Sequence, residues 1–156
     1  FKWIGFIIKA FPEAKIIHIH RNPMAVCWSN YRINFRDSGM EFALSQSDIA
    51  EYYILYKDLM EYWFKKFKGE IINISYEKFV LNYEQEIKNI INKLDLNWEE
   101  GIKNYNKKNQ RPVETASLHQ VRGEIVKNTS KQWKIYDEYL EEMKNTLQLN
   151  NINFNI

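Results

Sequence analysis

Apolar positions along the chain switch between two spacings, and the switches mark its elements. Trp3, Phe6, Ile7 and Ala10 recur at helical intervals and predict a first helix that Pro12 ends. The run KIIHIH (15–20) is short, apolar and β-branched, which predicts a buried strand. Asn22 suits an N-cap and Pro23 the first helical position, so a helix is expected from there to about Phe35. RDSGMEFALSQSD reads as a loop with a short turn of helix. Ile49, Tyr52, Tyr56, Leu59, Trp63 and Phe67 predict the clearest helix, over 48–67, capped by Ser47 and closed by Lys65, Lys66 and Gly69. EIINIS (70–75) predicts a second strand. Ile87, Ile90, Ile91 and Leu94 predict another helix. Trp133, Tyr136, Leu140, Met143 and Leu147 predict the last, capped near Ser130. Two strands separated by helices require a crossover, hence a parallel pair and an α/β fold. Residues 106–130 have no clear period, and irregular segments this long are functional or disordered. The Asn-rich LNNINFNI is expected to fray.

Composition narrows the class. With 156 residues, 45% hydrophobic and 15% aromatic, the chain suits one globular domain with a sizeable core. A net charge of +2 is too small to argue for nucleic acid. No apolar run has transmembrane length. Cys27 is the lone cysteine, which excludes an internal disulfide and favours a reducing compartment. The first segment begins at Phe1 and reads as the middle of a fold.

The candidate chemistry lies at the end of the first strand. Arg21 stands at a helix start, where positive charge is disfavoured unless an anion is near. Ser29 follows eight residues later, on the second turn, so a phosphate held by both would lie along the helix flank. The same spacing fits an ordinary strand–helix joint with an exposed arginine and a helix-surface serine. Tyr76 follows the second strand as Arg21 follows the first, and both would emerge at the carboxyl edge of the sheet, where α/β proteins bind ligands. Tyr76 could meet a nucleotide there or simply pack the strand end. His18 and His20 share a face of the strand, but no third metal ligand is apparent, and buried, hydrogen-bonded histidines are expected. His20 would lie near the proposed phosphate. Cys27 reads as a packed thiol. Thr115, Ser117, Arg122 and Lys127 place hydroxyls and cations in the irregular segment, which suits closure over phosphates or a disordered basic loop.

FPEAKIIHIHRNPMAVCWSNY, ISYEKFVLNYEQEIKNIINKLDLNW and VETASLHQVRGEIVKNTSKQWKIYDEYL together, in this order, resemble the carboxy-terminal half of sulfotransferases. The likeness is to the tyrosylprotein-like group, with its bacterial members linked to tetratricopeptide repeats. It spans roughly residues 1–142. The resemblance implies a P-loop-like parallel sheet with flanking helices, here incomplete on its N-terminal side. It implies 3′-phosphoadenosine 5′-phosphosulfate as co-substrate and a hydroxyl acceptor, whether protein tyrosine, sugar or small molecule. Arg21 and Ser29 then correspond to the pair that holds the 3′-phosphate, Tyr76 to a residue that approaches the nucleotide, and Ser117, Gln120 and Arg122 to the loop over it.

Four departures matter. Ala25 stands where the family often has an acid, GEIV where it often has proline, and no cysteine pair precedes the YE segment, which favours a cytoplasmic, bacterial-type enzyme. The five glycines are scattered, and none forms the Gly/Ser/Thr-rich loop that cradles a 5′-phosphosulfate. No residue is therefore assigned to catalysis, and no metal, nucleic-acid or membrane partner is expected. Residues 1–148 read as the carboxy-terminal part of one sulfotransferase domain, with 149–156 as tail; oligomeric state is left open. The alternatives are a non-catalytic α/β interaction module and a fragment of a kinase-like phosphoryl transferase.

Overall fold

The computed structural model describes residues 1–33, 35, 39–104 and 125–155. The chain divides into two compact units, Phe1–Glu77 with Asn128–Ile156, and Lys78–Lys127.

The first unit contains the sheet. Helix α1 (Ile4–Ala10) leads to strand β1 (Ile16–His20), then to helix α2 (Pro23–Tyr31). A 3₁₀ turn (Glu41–Leu44) precedes the long helix α3 (Gln46–Lys66), which returns the chain to strand β2 (Ile71–Ser75). The strands are parallel, as the crossover requires, and pair in register from Ile16 with Ile71 to His20 with Ser75. The architecture is α/β: a small parallel two-stranded sheet flanked by helices. Helix α4 (Tyr76–Leu81) begins at the residue after β2. A 3₁₀ run (Thr129–Tyr139) and a helix numbered α6 (Glu141–Leu149) complete this unit.

Two cores hold it. One joins α2, α3 and the C-terminal elements through Met24, Cys27, Ile49, Trp133, Leu140 and Met143, among others. The other joins α1, α3 and β2 through Ile4, Ile8, Met60 and Ile71. Each such side chain contributes about 1.5–3 kcal/mol on burial. Gly5 lets α1 approach α3 closely, since a Cβ there would meet the Trp63 ring at 2.6 Å. In the second unit, α5 (Tyr83–Lys93) buries Ile91, and a 3₁₀ turn spans Glu100–Asn104.

Several expectations are corrected. In α1 the buried residues are Ile4, Gly5 and Ile8, while Trp3 and Phe6 are exposed, so the apolar spacing found the helix but not its packed face. Helix α2 stops at Tyr31 rather than near Phe35. Helix α3 starts two residues earlier than expected, because Ser45 and not Ser47 accepts the hydrogen bond from the Asp48 amide. The single last helix is split. Ser130, Trp133 and Tyr136 recur every three residues, the 3₁₀ period, and Ser130 and Trp133 are buried. Leu140 then separates this run from α6, where Met143 and Leu147 are buried. Ser130 is therefore an inward-facing residue and not a cap. Finally, the segment expected to fray is packed: Ile152 and Phe154, two apart in extended chain, are both buried.

Candidate functional site

Because β1 and β2 end in register, their next residues reach the same edge of the sheet. Arg21 and Asn22 come from β1, Ser75, Tyr76 and Glu77 from β2, and Thr129 and Ser130 from the 3₁₀ run.

Asn22 fixes the start of α2. Its side-chain oxygen accepts from the Ala25 amide at 3.1 Å, the capping bond its position predicts. Its side-chain amide donates to the Phe154 carbonyl at 2.8 Å, and its backbone N–H donates to Glu77 Oε1 at 2.9 Å. Asn22 is 6% exposed, so every polar atom of this side chain is used inside the fold.

Glu77 is the hub. Its Oε1 also accepts from the Ser130 hydroxyl at 2.7 Å, and Oε2 accepts from the Ser75 hydroxyl at 3.3 Å. Partial burial works against the charge of this carboxyl, but the Asn22 amide, the Ser130 hydroxyl, its own backbone amide and the Ser75 hydroxyl outweigh it. The group is held below the usual glutamate range. A protein carboxylate therefore already stands at the N-terminus of α2. The positive end of that helix has its anion without any ligand.

Arg21 is held on two sides. Its Nε donates to Ser130 Oγ at 3.0 Å, and its guanidinium carbon lies 4.6 Å from the centroid of the Tyr76 ring. The Tyr76 hydroxyl is in turn hydrogen-bonded to Thr129 Oγ1 at 2.9 Å. Among the described residues, Arg21 makes no ion pair, and its two terminal nitrogens have no hydrogen-bond partner. A half-buried guanidinium with its flat face and Nε fixed keeps a fork of donors suited to an oxyanion.

Ser29 lies two turns into α2, half-buried, seven residues beyond Asn22 and hence on the same side of the helix as Asn22. No hydrogen bond among the described residues joins it to Arg21. Ser117, Gln120 and Arg122 lie outside the described residues. His18 is hydrogen-bonded as expected but only half-buried, its Nδ1 bonded to Asn73 Oδ1 at 2.8 Å and its Nε2 to the Tyr56 hydroxyl; partial burial lowers its pKa. His20, expected to be buried as well, is exposed. Cys27 is the packed thiol expected, fully buried and with its pKa pushed up to about 12 by burial. Among the described residues no group of three or more His, Cys, Asp or Glu side chains could hold a metal. Nor is any described helix long and apolar enough to cross a membrane. A cavity of about 820 Å³ runs beside β1, lined by Arg21, His18, Tyr52 and Tyr56 among others. The α2 residues that line it are Val26, Cys27 and Asn30.

Residues 1–100 match the family model described as "Sulfotransferase family". The chain belongs to the sulfotransferase family. It is also 35% identical over 150 residues to an uncharacterized protein of Aquifex aeolicus (strain VF5), an alignment covering 95% of this chain and 20% of that relative. The chain thus spans about a fifth of the relative's length. The sulfotransferase match takes in both strand–helix joints, with Arg21, Ser29, Tyr76 and Glu77, whereas Thr129 and Ser130 lie beyond it.

Glu77, Thr129 and Ser130 are the site residues that the sequence reading missed. For Glu77 a signal existed, an acid in the first turn of a helix that follows a strand without a linker. The three-residue recurrence of Ser130, Trp133 and Tyr136 was the signal for Ser130. Nothing in the sequence marked Thr129.

Proposed function

We propose that this chain supplies the 3′-phosphate-holding part of a sulfotransferase that moves a sulfuryl group from 3′-phosphoadenosine 5′-phosphosulfate to an acceptor hydroxyl. The observation that carries this reading is Arg21: a guanidinium at the carboxyl edge of a parallel sheet, fixed at Nε and over Tyr76, with its terminal nitrogens unpaired among the described residues. Arg21 would bind the 3′-phosphate, Ser29 would add a hydroxyl along the α2 flank, and Tyr76 would border the nucleotide. Ser117, Gln120 and Arg122 are assigned to the same nucleotide by motif position alone. The bound donor supplies the sulfuryl group; the residues named here bind and orient it, and none of them is assigned to catalysis. The tyrosylprotein-like subtype, a hydroxyl acceptor and a cytoplasmic setting follow from the motifs and belong to the same proposal.

Calorimetry of the 156-residue chain with adenosine 3′,5′-bisphosphate and with adenosine 5′-monophosphate tests it. The bisphosphate is expected to bind at least tenfold more tightly, since one charge-assisted contact contributes about 1.5–3 kcal/mol. Equal affinities, or binding of neither, would overturn the reading and favour an α/β interaction module.

A further inference from the structure

The contact between Arg21 and Ser130 has its direction fixed by chemistry. An arginine Nε can only donate, and an ionised carboxylate can only accept. The Ser130 hydroxyl has one proton, which goes to Glu77 Oε1 at 2.7 Å, and its lone pair receives Arg21 Nε at 3.0 Å. Ser130 is 4% exposed, so water has little access to the hydroxyl between them. The carboxylate is itself anchored by the Asn22 amide at 2.9 Å, and so is tied to the backbone next to Arg21.

We infer that Ser130 and Glu77 are positioning residues for Arg21, a hydroxyl relay that orients its guanidinium for a phosphate while keeping its charge free. This rests on the reading of Arg21 as a phosphate ligand. Two consequences follow from placing a serine between the two charges. The relay fixes the Nε edge of the guanidinium, so less side-chain freedom is lost when a phosphate binds. The hydroxyl also stands where a direct fork between Arg21 and Glu77 would otherwise form, and such a bidentate pair would occupy the donors that a phosphate needs. An apolar residue at 130 would remove both effects. The ring of Tyr76 under the guanidinium and the Tyr76–Thr129 bond hold the other face of the same side chain, from the residue adjacent to Ser130.

The test uses the 156-residue chain and two readouts, one of which needs no ligand. In proton NMR, the Arg21 Nε–H, assigned by its loss in Arg21→Lys, is expected to exchange slowly with water in the wild type and at least tenfold faster in Ser130→Ala. In calorimetry, Ser130→Ala is expected to lower the preference for adenosine 3′,5′-bisphosphate over adenosine 5′-monophosphate about tenfold, as a variant that merely loosened the fold would not. An unprotected Nε–H in the wild type would overturn the relay whatever the nucleotide does. So would a preference that survives Ser130→Ala and is lost in Arg21→Ala, an outcome that leaves Arg21 as a phosphate ligand. A preference that survives Arg21→Ala would instead overturn the phosphate assignment itself, and the positioning role with it.

Discussion

The two strand–helix joints sit side by side at one edge of the sheet and are built oppositely. After β1 the chain inserts Arg21 and Asn22 before the helix, and the second of these is a dedicated cap whose side chain is wholly used inside. After β2 there is no linker, and α4 begins at Tyr76. The second joint needs no borrowed anion, because Glu77 lies in its own first turn, and it lends that carboxylate to the first joint through the Asn22 amide. One joint therefore receives polar partners and the other provides them. The helix start after β1 thus does not itself call for a phosphate. The case for an anion rests instead on Arg21, the cation beside a satisfied joint whose own terminal donors are unspent among the described residues.

The contrast between a spent residue and an unspent neighbour can be broken most forcefully at Asn22. Asn22→Ala removes a helix cap and leaves the Phe154 carbonyl without its buried donor. Stability should fall by about 2–4 kcal/mol, read from urea unfolding midpoints. A loss below about 0.5 kcal/mol would show that the first joint is not the closed structure described.

Next comes Arg21→Ala, which should behave in the reverse manner. Affinity for adenosine 3′,5′-bisphosphate should drop at least tenfold, by about 1.5–3 kcal/mol for each charge-assisted bond removed, with a smaller change in stability than at Asn22. Ser29→Ala should weaken binding less, since it removes a neutral donor. A larger effect at Ser29 than at Arg21 would reverse the assignment.

The smallest expected effect sharpens the role of the lending joint. The Glu77 carboxyl is held below its ordinary range, so its contribution to stability is fully present above the unfolded glutamate pKa, about 4.3, and is lost as the pH falls through the lower folded value. Unfolding free energy measured from pH 6 downwards should therefore decline less steeply in Glu77→Gln than in the wild type. Identical slopes would mean that the carboxylate is not stabilised by its four donors.

Elements were legible where local chemistry decides them. The β-branched runs gave both strands, although β1, expected to be buried, holds no buried residue and exposes Ile17 and Ile19. Asn22–Pro23 gave the start of α2, and the stripe of α3 gave the crossover, from which parallel pairing follows. What local pattern could not give was the direction in which residues face. Trp3 and Phe6 have perfect helical spacing and are exposed, because Gly5 is the residue that lets α1 reach Trp63. Arg21 and Tyr76 were legible because strand ends in a parallel sheet share an edge. The roles of Glu77, Thr129 and Ser130 were not, because the partners that bring them to the site, Asn22 and Ser130 for Glu77, Tyr76 for Thr129 and Glu77 for Ser130, lie 53 or more residues away and only the finished fold brings them together. Ser130 looked like a cap for the same reason, since a serine before an apolar run has a local explanation that hides a distant one.

The span of those bonds has a consequence for how the molecule is made. Asn22 needs a carboxylate 55 residues later and a carbonyl 132 residues later, and Arg21 needs a hydroxyl 109 residues on. During synthesis from the N-terminus, β1 and the start of α2 leave the ribosome long before Phe154 exists. Contacts of such sequence separation form slowly, because the chain's loop entropy is lost before they reward it. The joint that carries Arg21 is thus among the earliest parts of this chain to be translated and among the last to be finished. Until residue 154 arrives, the side-chain amide of Asn22 has only water to donate to in place of the Phe154 carbonyl.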